Sequence, residues 1–412
     1  MTKKTSNSDI TYNGKPLQGL ALSSEDEVFR ENTDEVLDYI RKTVPVLEDG
    51  EFKRWFISDH AVADGVLKDR ENFRRDWEEN AAEGTWGKDV APMIGKWGMF
   101  DIDGPEHKRV RAPVSRMFTP GKLKLLIPKI EEAIDREIEH IRNKEEFDFI
   151  SEFAVPMSTN FMAALLGIEA RDLVEFKQYA EDLTQVFIER ESENVIEKAG
   201  AAKEGLEAFF HKVVAEKREN PKEDLISLLT EEEKNPITDK DIVDNCVLMV
   251  IAGKVTTTDL LGNGLVAFLQ HPEQLKEVQE NPELYDAAIE EILRYDSPAT
   301  EIPRYNRNAC QLKDVHLEQG QTLAISLAGA NHDPEVYSCP HQFNIHRDEP
   351  AHLSFGGGAH YCVGAPLARI ESKIAFKRFF DEFPNAKLVD EKPKRKAIGG
   401  FGGYREIFVK IN

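Results

Sequence analysis

Thr238-x-x-Asp241 reads as a capping box that opens a helical run continuing to about Gln270. At ~1.5 Å per residue such a helix crosses most of a domain, so the remaining chain has to be built around it. From Glu106 to about Leu269 apolar residues recur every three to four positions, with polar breaks near Gly167, Glu191 and 220–235. A further helical run follows from Ala365 to Phe380, whereas 77–104 reads as loop. Strand-like pieces at 51–58, 321–327 and 405–411 lie far apart, and pairing them in a small sheet ties both ends of the chain into one domain. The expectation is a mainly α protein with small β-sheets. It has a polar, flexible segment over 1–17, then a single domain over 18–412 with an α-rich body and a smaller β-rich region.

Charge and hydropathy exclude several functions. The 412 residues carry 53 basic and 75 acidic side chains, a net charge of −22, which repels the phosphates of nucleic acid and of anionic lipid surfaces. No apolar stretch follows the early lysines as an export signal requires, and the run 247–253 falls far short of the roughly 20 residues that span a bilayer. These features predict a cytoplasmic protein with no membrane anchor and no nucleic-acid partner; a monomer is expected. Cys246, Cys310, Cys339 and Cys362 form no C-x-x-C pair, so neither a disulfide framework nor a zinc knuckle is indicated.

Cys362 alone is chemically placed. Phe355-Gly-Gly-Gly-Ala-His-Tyr-Cys362-Val-Gly364 wraps glycines around it immediately before the helical run from Ala365. Amides of such a loop and the positive end of a helix dipole stabilise an anion, so a cysteine there is expected to lose its proton more readily and to ligate a metal. Taken alone, a cysteine beside a glycine run is more often a small buried residue at a tight turn.

The string F-x-x-G-x-H-x-C-x-G, filled by Phe355, Gly358, His360, Cys362 and Gly364, resembles the haem-binding loop of the cytochrome P450 superfamily. Three further segments match the same family in order, so the resemblance spans about Asp101 to Arg369. It implies haem b (iron protoporphyrin IX), with Cys362 as the axial ligand whose thiolate favours O–O cleavage. It also implies a buried structural triad of Glu291 and Arg294, one helical turn apart, with Arg347 from FNIHRDEP. The two haem propionates need basic partners. His107 and Arg111, four apart on one helix face, resemble the family's propionate-binding helix, and His360 joins them. Arg307, ahead of Arg304, in PRYNRNA corresponds to a further propionate arginine.

On the opposite side the resemblance places an oxygen-binding groove at Ala252-Gly-Lys-Val-Thr256-Thr257, with Thr256 guiding protons. Tight helix packing with threonine back-bonding explains the same composition. The chain departs from the family at Val255, where an Asp or Glu is usual. Asp259, one turn on, water chains or a substrate group are the alternative proton sources. By family analogy the substrate pocket comprises Trp86, Ile94, Trp97, Leu248, Ala252, Ile302 and Phe401. The implied activity is O2-dependent hydroxylation, O-dealkylation or epoxidation of a small lipophilic substrate. Electrons come from a separate ferredoxin and an NAD(P)H-dependent ferredoxin reductase, since no flavin or iron–sulfur segment is visible. Lys108, Arg109, Arg116 and Arg369 are candidates for the docking patch. A peroxide-driven peroxygenase and a non-catalytic haem sensor or carrier are the competing readings.

Overall fold

The structure is a computed structural model that describes residues 10–17, 22, 26–50, 53–83, 95–188, 193–231, 237–349 and 351–411. Its axis is the helix Asp239–Gln270. The capping box forms as expected: Thr238 Oγ1 accepts from the Asp241 amide at 3.2 Å, and the Asp241 carboxylate accepts from the Thr238 amide at 2.7 Å. Beyond its first turn this helix is buried on nearly every face, the state of a helix enclosed by others rather than laid on a surface. Helices Val155–Leu166, Glu193–Glu219, Tyr285–Tyr295 and Ala365–Glu382 pack around it. Helix Val155–Leu166 stops where the sequence breaks, at Gly167, whose φ of 76° is the left-handed cap that glycine adopts without strain.

Aromatic packing sets the distance between the central helix and the helix Ala365–Glu382. Phe268 meets Phe376 and Phe380 edge-on at 5.3 and 5.6 Å, and Tyr285 and Phe343 close the cluster. Such pairs contribute about 0.5–1.5 kcal/mol each beyond their buried area. Gly264 lets the two helices approach this closely, since a Cβ there would lie 2.4 Å from the Phe376 ring.

The strand segments divide between two sheets rather than sharing one. Arg54–Ile57 lies parallel to Thr322–Ser326, which pairs antiparallel with Glu301–Asn306, and Val46–Asp49 and Phe73–Arg74 form the edges. Phe408–Lys410 pairs instead with Glu146–Asp148 and Lys387–Leu388. Alternation of Ile407, Val409 and Ile411 announces a strand, but it does not say which core receives the apolar face. These three side chains join the helical core, whereas Ile57, Leu323 and Ile325 fill a separate cluster beside the larger sheet. The polar N-terminal segment also departs from expectation over its described part. Thr11–Tyr12 and Lys15–Pro16 form a hairpin, and Ile10 and Leu17 at its two ends are buried with Leu37 and Ile40.

Gly264→Ala is expected to overpack the junction with Phe376 and cost about 1–3 kcal/mol. Denaturant unfolding of the variant checks this, and an unchanged midpoint would show that Phe376 moves aside freely.

Candidate active site

The Cys362 loop is held from two directions. The Cys362 amide donates to the Phe355 carbonyl at 2.9 Å, closing the loop on itself. Gly358, at φ 65°, presses on the end of helix His60–Lys68, where a Cβ would sit 2.3 Å from the Leu67 carbonyl oxygen. Behind the loop the Arg369 guanidinium lies 4.6 Å over the Phe355 ring. The Cys362 sulfur accepts from the Gly364 and Ala365 amides, the nest anticipated from the glycines and the helix start. The expected ease of deprotonation does not follow. Burial pushes the thiol up from its ordinary value, and the two amides with Arg111 and Arg369 offset only part of that. Cys362 nonetheless retains accessible surface. A cation placed there would supply what the thiolate lacks.

Beside the sulfur lies a group of basic side chains short of counter-charge. His107 and His360 stack with ring centroids 4.2 Å apart. His360 Nε2 donates to Asp103 at 3.0 Å, yet burial still depresses His360 to about 3. His107 is pushed down to about 4 by burial and by Arg111, and its buried Nε2 has no hydrogen-bond partner among the described residues. Arg111 donates to the Tyr361 carbonyl and senses the Cys362 sulfur electrostatically.

Of the two arginines in this segment, Arg304 is the one the sheet buries. Arg304 is 3% exposed, donates to the Pro303 carbonyl at 3.0 Å and makes no ion pair with a carboxylate among the described residues; burial and Arg75 push it down to about 9, Asp103 offsetting only part of this. Arg307 is exposed just past the end of strand Glu301–Asn306. Strand alternation decides between them, because Arg304 shares a face with Ile302, whose Cδ1 lies 3.5 Å from the Cβ position of Gly356 in the cysteine loop. A buried guanidinium and an orphaned imidazole nitrogen call for an anion. Haem, with two carboxylates and a cationic iron, therefore fits this set: Arg304, Arg111 and His107 would hold its propionates and Cys362 its iron.

The central helix exposes Ala252, although Cys246 to Ile251 are buried, and leaves Thr256 half-buried. Thr256 Oγ1 donates to the Ala252 carbonyl at 2.5 Å. Leu248 and Val255 are buried. Asp259 is fully buried and bound to Lys396 at 2.5 Å, which ties up the nearest carboxylate on this helix. Trp97 and Phe401 meet through Phe187, at 6.0 and 5.3 Å. Trp86 and Ile94 lie outside the described residues.

The expected triad is assembled. Glu291 takes two bonds from Arg294, at 2.7 and 2.8 Å, and a third from Arg347 Nε at 3.0 Å, with Glu291 and Arg294 buried and Arg347 half-buried. The arginines spend their remaining donors on the carbonyls of Asn331, Ser338, Cys339, Pro340 and Gln342.

Comparison with known proteins shows the family. The family model described as Cytochrome P450 matches residues 14–402. The chain belongs to the cytochrome P450 family. It is an oxidoreductase of the family's monooxygenase class. Among its relatives, the biotin biosynthesis cytochrome P450 of Bacillus subtilis (strain 168) is 29% identical over 393 residues, 94% of this chain and 98% of that protein. The crystal structure of P450BioI in complex with hexadec-9Z-enoic acid ligated acyl carrier protein superposes with a TM-score of 0.85 at 28% identity, covering 94% of this chain and 100% of that one. CYP109E1 from Bacillus megaterium, solved with corticosterone, gives a TM-score of 0.84 at 28% identity, with coverage of 94% and 100%.

Four residues of this cytochrome P450 escaped the sequence reading. Arg75 is buried and spans the Phe100 and Pro303 carbonyls and Asp101. Phe187 links Trp97 to Phe401. Lys254, buried on the central helix next to Val255, binds Glu181 and Thr184 of helix Leu173–Gln185, each at 2.7 Å. Glu371 is fully enclosed, within 3.4 Å of the Thr257 hydroxyl, and burial lifts it to about 8. For Lys254 and Glu371 a signal existed, a charge at a core position of a helical pattern.

Arg304→Met is expected to weaken haem retention roughly tenfold or more, the ~1.5 kcal/mol or more of a hydrogen bond to a charged group, while Arg307→Met leaves it unchanged. Haem transfer to an apo-globin acceptor measures both, and equal loss in the two variants would return the role to Arg307. Glu371 generates a pH effect. Its folded value lies above its ordinary one, so the native state binds the extra proton and stability falls as pH rises from about 4.5 towards about 8. Unfolding free energies across that window should therefore be flatter for Glu371→Gln than for the parent chain.

Proposed function

We propose that this chain binds haem b between the Cys362 loop and the Ala252–Thr256 face and hydroxylates a small lipophilic substrate. Electrons come from a separate ferredoxin and its NAD(P)H-dependent reductase. The observation that carries the reading is the cysteine loop: a sulfur that accepts from two backbone amides, with His107 and Arg304 nearby in the fold as buried basic groups short of counter-charge. Haem, when bound, supplies the redox chemistry that activates O2 for insertion of one oxygen atom. O-dealkylation and epoxidation are outcomes of the same chemistry on other substrates.

The protein's own groups then divide the work. Cys362 holds the metal, with the Gly364 and Ala365 amides directed at its sulfur. Trp97, Phe187 and Phe401 exclude water on the substrate side, and Leu248, Ala252 and Ile302 complete an apolar wall. Thr256 carries a proton at Oγ1, parked on the Ala252 carbonyl and free to turn. A lipophilic substrate agrees with what the two solved relatives hold, a fatty acyl chain and a steroid. No helix among the described residues is long and apolar enough to cross a membrane. We take the chain over 18–412 as a single cytoplasmic domain acting as a monomer. Docking of the ferredoxin falls to the cysteine side, where Lys108 is exposed. Arg109 and Arg369 contribute less charge than expected there, being paired with Glu106, Asp241 and Glu290.

A peroxide-driven reaction is the second reading, favoured by one observation: Val255 carries no proton and Asp259 is committed to Lys396. Product formed with ferredoxin, reductase and NAD(P)H is expected to exceed that formed with hydrogen peroxide, and efficient turnover on peroxide alone would reverse the assignment. Thr256→Ala should lower product per NAD(P)H consumed by about 10²-fold, the lower end of what a positioned proton donor supplies. Val255→Asp, restoring an acid beside Thr256, should change the ratio of product to released peroxide. Cys362→His should remove the thiolate signature of the reduced carbon monoxide complex, and an unchanged spectrum would refute the ligand assignment.

A further inference from the structure

Helix Thr33–Thr43, the end of helix Leu327–Asn331 and the loop between Cys339 and His346 converge on a second group of metal-binding side chains, remote in role from Cys362. One ligand atom each from Asp34, His332 and His341 lie within 4.8 Å of one another, with His332 buried and the other two exposed. What separates this cluster from a chance meeting of polar side chains is the fate of the remaining ring nitrogens. His332 Nδ1 lies 2.9 Å from the Ala328 carbonyl. A carbonyl only accepts, so Nδ1 carries the hydrogen and Nε2 keeps its lone pair. His341 Nε2 lies 2.9 Å from the Asp38 carboxylate, which leaves Nδ1, 3.5 Å from the Asp34 carboxylate, as the second ligating atom.

Each imidazole thus has one nitrogen fixed by an acceptor and the other turned to ligation, the arrangement by which outer partners orient histidine ligands around a metal. Asp38 is itself held by Arg41 at 2.7 Å, and Arg41 also donates to the Gly329 carbonyl at 2.7 Å, so the outer ring reaches back to the helix that carries Ala328 and is capped by His332. Two imidazoles and one carboxylate form a set suited to zinc-class divalent ions, with a fourth position for water. Bonds of ~2.0–2.1 Å require ligand atoms roughly 3.3 Å apart in a tetrahedron. Asp34 and His341 already stand near that separation, and both are exposed side chains able to close the remaining gap on His332.

We propose that Asp34, His332 and His341 bind one divalent transition-metal ion of the zinc class, with Asp38 orienting His341, and that the ion clamps helix Thr33–Thr43 to the segment preceding the cysteine loop. Binding replaces the contact between His341 Nδ1 and the Asp34 carboxylate and draws both side chains towards His332. The site is independent of the haem assignment, because none of its residues approaches Cys362 or the basic cluster.

The test uses haem-loaded enzyme dialysed against a chelator, then titrated with zinc chloride against a chromogenic zinc indicator, with iron and zinc counted by elemental analysis. One zinc per chain is expected, together with a rise in the unfolding temperature. His341→Ala and Asp34→Asn, both exposed and so tolerated by the fold, should weaken zinc more than tenfold and abolish the temperature rise. Asp38→Asn should weaken it by about 10–100-fold, the range for an outer-shell partner. Failure to take up a stoichiometric zinc, or uptake that His341→Ala and Asp34→Asn leave intact, would overturn the site.

Discussion

The Glu291 carboxylate is shared by two guanidiniums and the Asn344 amide in a place that water does not reach. Removing one member of such a group leaves a buried charge unpaired, at a cost of about 3–5 kcal/mol, so its geometry is not negotiable. Through Arg294 and Arg347 it fixes the carbonyls of 338–342. Ser354, bonded to the Leu293 carbonyl at 2.6 Å and to Asn331 at 2.7 Å, carries that order to the residue before Phe355. The cysteine loop begins there. The same pinned segment presents His341 to Asp34 and Asp38, so two sites of different chemistry hang from one carboxylate.

Desolvation then gives the haem site its direction. Burial raises the Cys362 thiol and lowers His107, His360 and Arg304, so each of these groups is driven towards neutrality by the same enclosure. Side chains in that condition would be poor choices for stability alone, since apolar residues of equal volume would fill the space at lower cost. A metal cation against the sulfur and two carboxylates against the basic cluster relieve both ends at once. The arrangement destabilises the empty protein and favours the loaded one, which links cofactor binding to folding.

The central helix, its cap, and the cysteine loop were legible in the sequence because each is a local pattern: a capping box, a recurring apolar spacing, glycines around one cysteine. The family resemblance supplied the triad, which spans more than 50 positions and has no local signature. What stayed hidden depended on tertiary enclosure. Arg304 and Arg307 are both arginines in one short segment, and only the register of the strand against Leu323 shows which side chain turns inward. The thiol's direction of shift was misjudged because helix-dipole and amide effects can be read from neighbours in sequence, whereas burial cannot. Phe187 lies near the end of a helix pattern and gains meaning only when Trp97 and Phe401 arrive on either side of it.

Charge around Thr256 follows a different logic from the proximal side. At Val255 the helix gives up a titratable group, yet at Lys254, one residue earlier, it buries an ammonium whose partners Glu181 and Thr184 sit on the helix Leu173–Gln185. Residues one apart on a helix point about 100° away from each other, so Lys254 turns to that neighbour while Val255 and Asp259, four apart, share a face directed elsewhere. Ionic groups thus flank Thr256 without touching it, each neutralised by a partner of opposite sign. Such pairs hold helices in place and hold their protons poorly available, since moving a proton from Lys254 or to Asp259 would strand a buried charge. The hydroxyl of Thr256, bonded only to a carbonyl of its own helix, is the group in this stretch that can change hydrogen-bond partner without that cost. Under the proposed function, proton transfer on this face is therefore assigned to that hydroxyl rather than to Lys254 or Asp259.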